Sequence, residues 1–267
     1  MIFHSLVEPM YFILPIVGLV IGLFGTMVGG GGGFFFLPLL TLVLNVPAQT
    51  AVITSLVATL PICIVGSQGH YRKSNINFRV ALIFITGGII GAFVGAGITS
   101  WISEAQLKTG FGIYTIVIAV HIILSTRKNQ QTETVNGKQK SRPTLSKIAK
   151  GSFFGMVAGT ITGTFGTSGT APILAGLFSL KIPVKMVIGT SLLVVLFNTV
   201  FAVGAHFLIS KIDLTLVYFL TAGSAIGAVA GPRLLTKIHI DKAENKARYW
   251  YAVVMVIIGV LMITGQK

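Results

Sequence analysis

The chain has 267 residues, 53% of them hydrophobic and only 10% charged, with a mean hydropathy of +0.88. A soluble domain carries roughly 25% charged residues, so that class is excluded and an integral helical membrane protein is indicated. The net charge of +14 does not point to nucleic acid: Lys and Arg lie between apolar segments, as in the cytoplasmic loops of membrane proteins, and no soluble domain presents them as one basic face.

In chain order, the predicted apolar segments are 10–28, 34–44, 47–67, 80–101 and 107–124, then 151–162, 171–180, 183–207, 214–235 and 249–263. Segment 80–102 carries no charge and segment 214–235 only Arg233, third from its end, so both reach the ~20 residues needed to cross a hydrocarbon core,. No Lys or Arg precedes the first apolar run and no cleavage site follows it, so it reads as part of the mature protein rather than a signal peptide. Between the two sets lies a polar stretch holding Arg127, Lys128, Lys138, Lys140, Arg142, Lys147 and Lys150 against one acid, Glu133.

The two sets are copies of one unit. Gly25, Thr26, Gly29, Gly32 and Pro38 recur as Gly159, Thr160, Gly163, Gly166 and Pro172, at a constant shift of 134. From Pro47 the shift is 136: Pro47 pairs with Pro183, Thr54-Ser55 with Thr190-Ser191, His70 with His206, and Gly87, Gly91, Gly95 with Gly223, Gly227, Gly231. The expected organisation is therefore a first transmembrane repeat at 1–125, a basic cytoplasmic linker at 126–150 and a second repeat at 151–267. Duplicated apolar units of this kind build transporters with the substrate site where the units meet.

Basic-residue placement separates two topologies. Four full spans per repeat, with the glycine-rich stretch as an external turn, put Arg233, Lys237, Lys242, Lys246, Arg248 and Lys108 outside. A re-entrant glycine-flanking pair followed by three spans leaves only Lys108, Lys211 and Lys267 outside and inverts the repeats. The second arrangement separates the charges better and explains why segment 34–44 is too short to cross alone. Segment 10–28, nearly long enough to span, counts against it. The expected fold is thus an all-α polytopic membrane protein of two homologous, inverted repeats, each a glycine-rich broken or re-entrant helix pair plus three spanning helices. Turns between full spans remain the alternative for the glycine-rich segments.

The four-residue glycine rows, 87/91/95, 223/227/231 and 151/155/159/163, are read as helix-packing seams, because small residues let membrane helices approach closely. The same rows would serve a homodimer as readily as an internal interface. The run Gly29–Gly33 differs, since no packing seam needs five consecutive glycines. Glycine permits irregular backbone and positive φ, tolerated at membrane depth only where protein buries it or water reaches it. A helix restarting there exposes N–H groups that attract anions. The counterpart reads Phe165-Gly166-Thr167-Ser168-Gly169-Thr170 and adds three hydroxyls suited to sulfonate or carboxylate oxygens.

The candidate substrate site is Gly30, Gly31, Gly32, Gly33, Thr54, Ser55, Gly166, Thr167, Ser168, Gly169, Thr170, Thr190, Ser191 and Asn198. Thr54, Ser55, Thr190 and Ser191 recur in both halves, though back-bonding to helix carbonyls would explain them equally. The predicted span cores hold no Asp, Glu, Lys or Arg, which argues against a carboxylate-based cation path. His70, His206, His121 and Gln68 are weaker polar candidates, and Cys63 reads as a small buried side chain. No cofactor, metal or Walker motif is expected.

The pattern Gly18-x3-Gly22-x2-Gly25-x3-Gly29-Gly30-Gly31-Gly32-Gly33, then Pro38 and Ala51-x2-Thr54-Ser55, resembles the TauE/SafE sulfite-exporter family. Its second copy is Gly155-x3-Gly159-x3-Gly163-x2-Gly166, then Pro172 and Gly189-Thr190-Ser191. The resemblance covers nearly the whole chain. It implies a multi-pass inner-membrane permease of two similar halves for sulfite, sulfoacetate or other sulfur-containing anions, with Thr167, Ser168 and Thr170 departing from the usual second-half pattern. The expected function is a secondary carrier binding a small organic or inorganic anion between the two helix breaks and moving it by alternating access. Its partners would be the lipid bilayer and that anion. The competing reading is an intramembrane serine hydrolase, with Ser168 in a Gly-x-Ser-Gly and His206 as its base.

Overall fold

The computed structural model describes residues 2–28, 31–128, 145–180, 182–235 and 244–265. The first repeat contains α1 (Leu14–Val28), entered through a 3₁₀ turn at Pro9–Ile13; α2 (Gly33–Pro38), continued by a π turn at Leu39–Val43; α3 (Ala48–Arg72); α4 (Phe78–Trp101); and α5 (Glu104–Lys128). The second contains α6 (Leu145–Phe165), α7 (Thr170–Ser179), α8 (Val184–Phe207), α9 (Leu214–Leu235) and α10 (Glu244–Thr264). A two-residue parallel strand pair, β1 (Ile2–Phe3) with β2 (Ile212–Asp213), is the one feature among the described residues outside the all-helical expectation.

Every predicted apolar segment contains a helix, and α9 has the predicted limits. The largest difference is α6, which starts at Leu145 rather than at 151. Leu145 and Ile148 continue one apolar face for a further turn, while Lys147 and Lys150 extend their ammonium groups from it, as long basic side chains do at a membrane surface. Among the described residues six stretches are long and apolar enough to cross a membrane: Pro9–Thr26, Ala48–Arg72, Phe78–Trp101, Glu104–Leu124, Val184–Phe207 and Leu214–Gly231. The chain is an all-α polytopic membrane protein.

The repeats interlock. The first helix of each packs along the fourth helix of the other: α6 on α4 and α1 on α9. The glycine rows form both seams. A Cβ on Gly87, Gly91 or Gly95 would strike the backbone of Ser152, Met156 or Thr160, and one on Gly155, Gly159 or Gly163 would strike Phe84, Gly88 or Ala92. Gly223 and Gly227 press equally on Pro15 and Leu19, and Gly18 and Gly22 on Leu220 and Ser224. These rows therefore serve interfaces inside the chain. The apolar driving force is weak between helices already in lipid, so close backbone approach supplies the attraction. Thr99 adds bonds across the α4–α6 seam, its hydroxyl donating to the carbonyls of Gly163 (3.2 Å) and Thr164 (2.9 Å).

Helix directions follow from which residues meet. Numbers rise together along α4 and α6 and along α1 and α9, so both pairs are parallel. Along α3 and α8 they run in opposite senses, Gly66 meeting Leu192 and Gly189 meeting His70. Arg72, Lys73, Arg79, Lys147, Lys150 and Lys185 thus gather at one end of the bundle, where α3 finishes and α4, α6 and α8 begin. Glu104, Lys108, Lys211 and Asp213 lie at the opposite end. There Asp213 is buried and accepts from the backbone N–H groups of Ser5 (3.3 Å), Thr215 (3.0 Å) and Leu216 (3.4 Å), tying β1 to the start of α9. Its repeat counterpart Asn77 caps α4 through Val80 N–H at 3.2 Å.

Candidate functional site

Each glycine-rich pair is unequal. The outgoing helix runs almost the full depth of the bundle: α6 follows α4 from Ser152 beside Gly87 to Thr164 beside Thr99. The return leg is broken. Residues 166–169 come back without helix, and Gly169 lies against Ala158 and Thr162 of α6, near mid-depth, where α7 begins. α7 then descends until Gly176 meets Phe84 and Phe154. The first repeat does the same: Gly31 and Gly32 return to the level of Ile21, Thr59, Ile62 and Cys63, and α2 starts there. The half-length segment was legible as too short to span; that its partner runs almost the full depth of the bundle is a property of the packing.

Glycine is required at these turns. Gly31 (φ 66°), Gly32 (φ 72°), Gly166 (φ 65°) and Gly169 (φ 51°) all sit in the left-handed region, where a Cβ costs roughly 1–2 kcal/mol. Gly32 and Gly169 are the N-cap residues of α2 and α7. Glycine offers no side-chain acceptor, so neither cap makes a side-chain bond to the first turn; at α2 the Gly32 carbonyl accepts from Phe35 N–H at 3.1 Å,.

The two breaks meet. A Cβ on Gly33 would lie 3.4 Å from the Gly166 carbonyl oxygen and 3.4 Å from the Ser168 nitrogen. Gly31 packs on Thr59 and Cys63 of α3 and on Val195 of α8, the two central helices. Gly166 presses on Val52. Thr167 and Ser168 are buried, and the Thr170 hydroxyl donates to Ser168 Oγ at 3.0 Å. Beside the breaks stands an aromatic group: Phe34 touches Phe111 and Tyr251, and Phe165 touches Phe111 and Tyr114.

Of the sequence-selected residues, Gly31, Gly32, Gly33, Gly166, Thr167, Ser168, Gly169 and Thr170 thus build one junction, while Gly30 lies outside the described residues. Thr54 and Ser55 are fully buried on α3, their hydroxyls without hydrogen-bond partners. Thr190 and Ser191 are engaged away from the breaks: Thr190 Oγ1 accepts from Asn77 N–H at 3.0 Å, and the Ser191 hydroxyl donates to the Ile188 carbonyl at 2.9 Å. Asn198 is fully buried on α8, one turn beyond Val195, and neither carboxamide atom has a partner. Sequence reasoning passed over Thr59, Val195 and Gly88. Gly88 leaves the space that the Asn198 carboxamide fills; comparing positions 88 and 198 with their counterparts Ser224 and Ile62 would have marked the pair. The hydrolase pairing is not assembled, since the His206 ring nitrogens face the Gly163 carbonyl and Ser210 Oγ rather than Ser168.

Residues 14–262, which include both breaks and all ten helices in whole or part, match the family described as sulfite exporter TauE/SafE. The chain belongs to the TauE/SafE family. It is 28% identical over 237 residues to "Probable membrane transporter protein YdhB" of Bacillus subtilis, covering 86% of this chain and 92% of that one. It is 24% identical over 247 residues to "Probable membrane transporter protein YunE" of the same organism, covering 85% and 90%. A third relative, a probable membrane transporter protein of Methanocaldococcus jannaschii, is 29% identical over 185 residues, covering 67% of this chain and 66% of its own. No solved structure matches. This TauE/SafE protein is a membrane transporter, and the paired breaks lie inside the part of the chain shared with its family.

Proposed function

We propose that this chain is a secondary carrier for a small anion, sulfur-containing by analogy with its family, bound at the junction of the two glycine breaks. The observation that carries the reading is the approach of Gly33 to Gly166 and Ser168. It brings the starts of α2 and α7, one from each repeat, to a common point inside the bundle. The positive dipole ends of the two helix starts favour an anion there, and the hydroxyls of Thr167 and Ser168 add donors for its oxygens.

In this reading the repeats are inverted about an axis in the membrane plane, which the antiparallel run of α3 and α8 supports. The end bearing Arg72, Lys73, Arg79, Lys147, Lys150 and Lys185 faces the cytoplasm by the positive-inside rule, placing the chain in the cell membrane with segment 126–150 inside. The interlocked pairs α1–α9 and α4–α6 rock about the crossing of α3 and α8, so that the junction opens alternately to each side. The test is flux into liposomes containing the purified protein. Labelled sulfite or sulfoacetate should move in protein-containing vesicles and not in empty ones; no flux across a panel of small anions would overturn the reading.

A further inference from the structure

We infer that Asn198 selects for anions that also carry an O–H or N–H, such as hydrogensulfite or a hydroxyalkanesulfonate. This inference rests on the carrier reading above and narrows its substrate class. Asn198 is fully buried, yet its Oδ1 and Nδ2 both lack hydrogen-bond partners. An unpaired buried amide is costly. It sits at the substrate's depth, one turn along α8 from Val195, which packs on Gly31 of the first break.

The repeat comparison shows that the position is specialised. Where the second repeat has Asn198, the first has Ile62; where α4 has Gly88, α9 has Ser224. The Ser224 hydroxyl is 3.4 Å from the Ala58 carbonyl of α3, whereas Gly88 is bare and its missing Cβ is the room the carboxamide occupies. One half keeps an apolar side chain at this depth, and the other has made space for a polar one.

The donor and acceptor inventory then limits the ligand. Buried hydroxyls without partners, those of Thr54, Ser55, Ser67 and Thr199, can donate or accept by rotating,. Asn198 Nδ2 only donates and suits an anion's oxygen. Asn198 Oδ1 only accepts, so an anion with no hydrogen to give makes no bond to it. A site built around such an atom rejects an analogue lacking the donor more strongly than an apolar pocket would.

The matched probes are 2-hydroxyethanesulfonate and ethanesulfonate, with the same charged group and one hydroxyl of difference, used as competitors of labelled sulfite flux in liposomes. Wild-type protein should be inhibited by the hydroxylated anion at a concentration lower by about tenfold or more. Asn198→Ile, alone and with Gly88→Ser, installs the other half's chemistry and should bring that ratio to about one, read on the reduced sulfite flux that remains. Equal inhibition by the two anions in wild type, or an unchanged ratio in a folded variant, overturns the role of Asn198 and leaves the carrier reading standing. Absence of sulfite flux in wild type overturns the carrier reading and this inference with it. The wild-type ratio decides the matter even where a variant does not fold.

Discussion

Replacing Gly91 by Ala tests the glycine seam most directly. The added Cβ would stand 2.1 Å from the Met156 carbonyl oxygen and 2.7 Å from the Thr160 nitrogen, whereas ordinary contact begins near 3.4 Å. α6 must therefore retreat by about 1.3 Å. Both obstructing atoms are backbone, so no rotamer change absorbs the clash. The retreat also stretches the Thr99 bonds to the Gly163 and Thr164 carbonyls. Overpacking of this kind costs about 1–3 kcal/mol. Gly97 on the same helix is the control: nothing lies within 4 Å of its missing Cβ, so Gly97→Ala should be neutral or stabilise by up to about 1 kcal/mol through helix propensity. The assay is thermal unfolding of the two purified variants in detergent, with liposome flux alongside. Gly91→Ala should melt below wild type and Gly97→Ala at or above it. Equal melting of the two variants would refute the claim that backbone contact holds the repeats together.

Three further outcomes are expected. Asp213→Ala removes the acceptor of three backbone N–H groups and should cost about 0.5–2 kcal/mol, as loss of an N-cap does; melting temperatures check it, and an unchanged value would deny Asp213 its capping role. Gly33→Val should reduce anion flux at least tenfold, because the side chain would wedge between the two breaks, its Cβ 2.8 Å from Thr59 Oγ1; elution should stay near wild type with melting lowered by overpacking, and normal flux would place the substrate path elsewhere. Lys211→Cys should react with an impermeant maleimide in intact cells and Lys185→Cys only after permeabilisation, the sole native cysteine, Cys63, being buried and silent; the reverse pattern would overturn the assigned orientation.

Much of this architecture was legible because membrane helices obey few rules. Segment limits followed from apolar runs, and the seams from glycines at four-residue spacing, since in lipid small residues mark where backbones touch. The role of Gly31, Gly32, Gly166 and Gly169 as turns followed from their type. Thr190 and Thr54 show the limit of that approach. They match across the repeats, yet Thr190 holds Asn77 at a helix end while the Thr54 hydroxyl is buried without a partner. Repetition says that two positions are equivalent in the unit, not that their neighbours are the same.

The sequence by itself determined the class, the duplication, the helix breaks and the family resemblance, because hydropathy, period and backbone freedom are properties of local stretches. Only the tertiary structure decided that α1 and α6 run almost the full depth of the bundle while their return legs restart at mid-depth, that each repeat's first helix lies on the other's fourth, and that Gly33 comes to Gly166 and Ser168. Those outcomes depend on which backbones approach within a few ångströms of one another. The vacant Cβ positions of Gly88 and Gly91 permit such approaches, but a glycine does not name the residue that will fill its space.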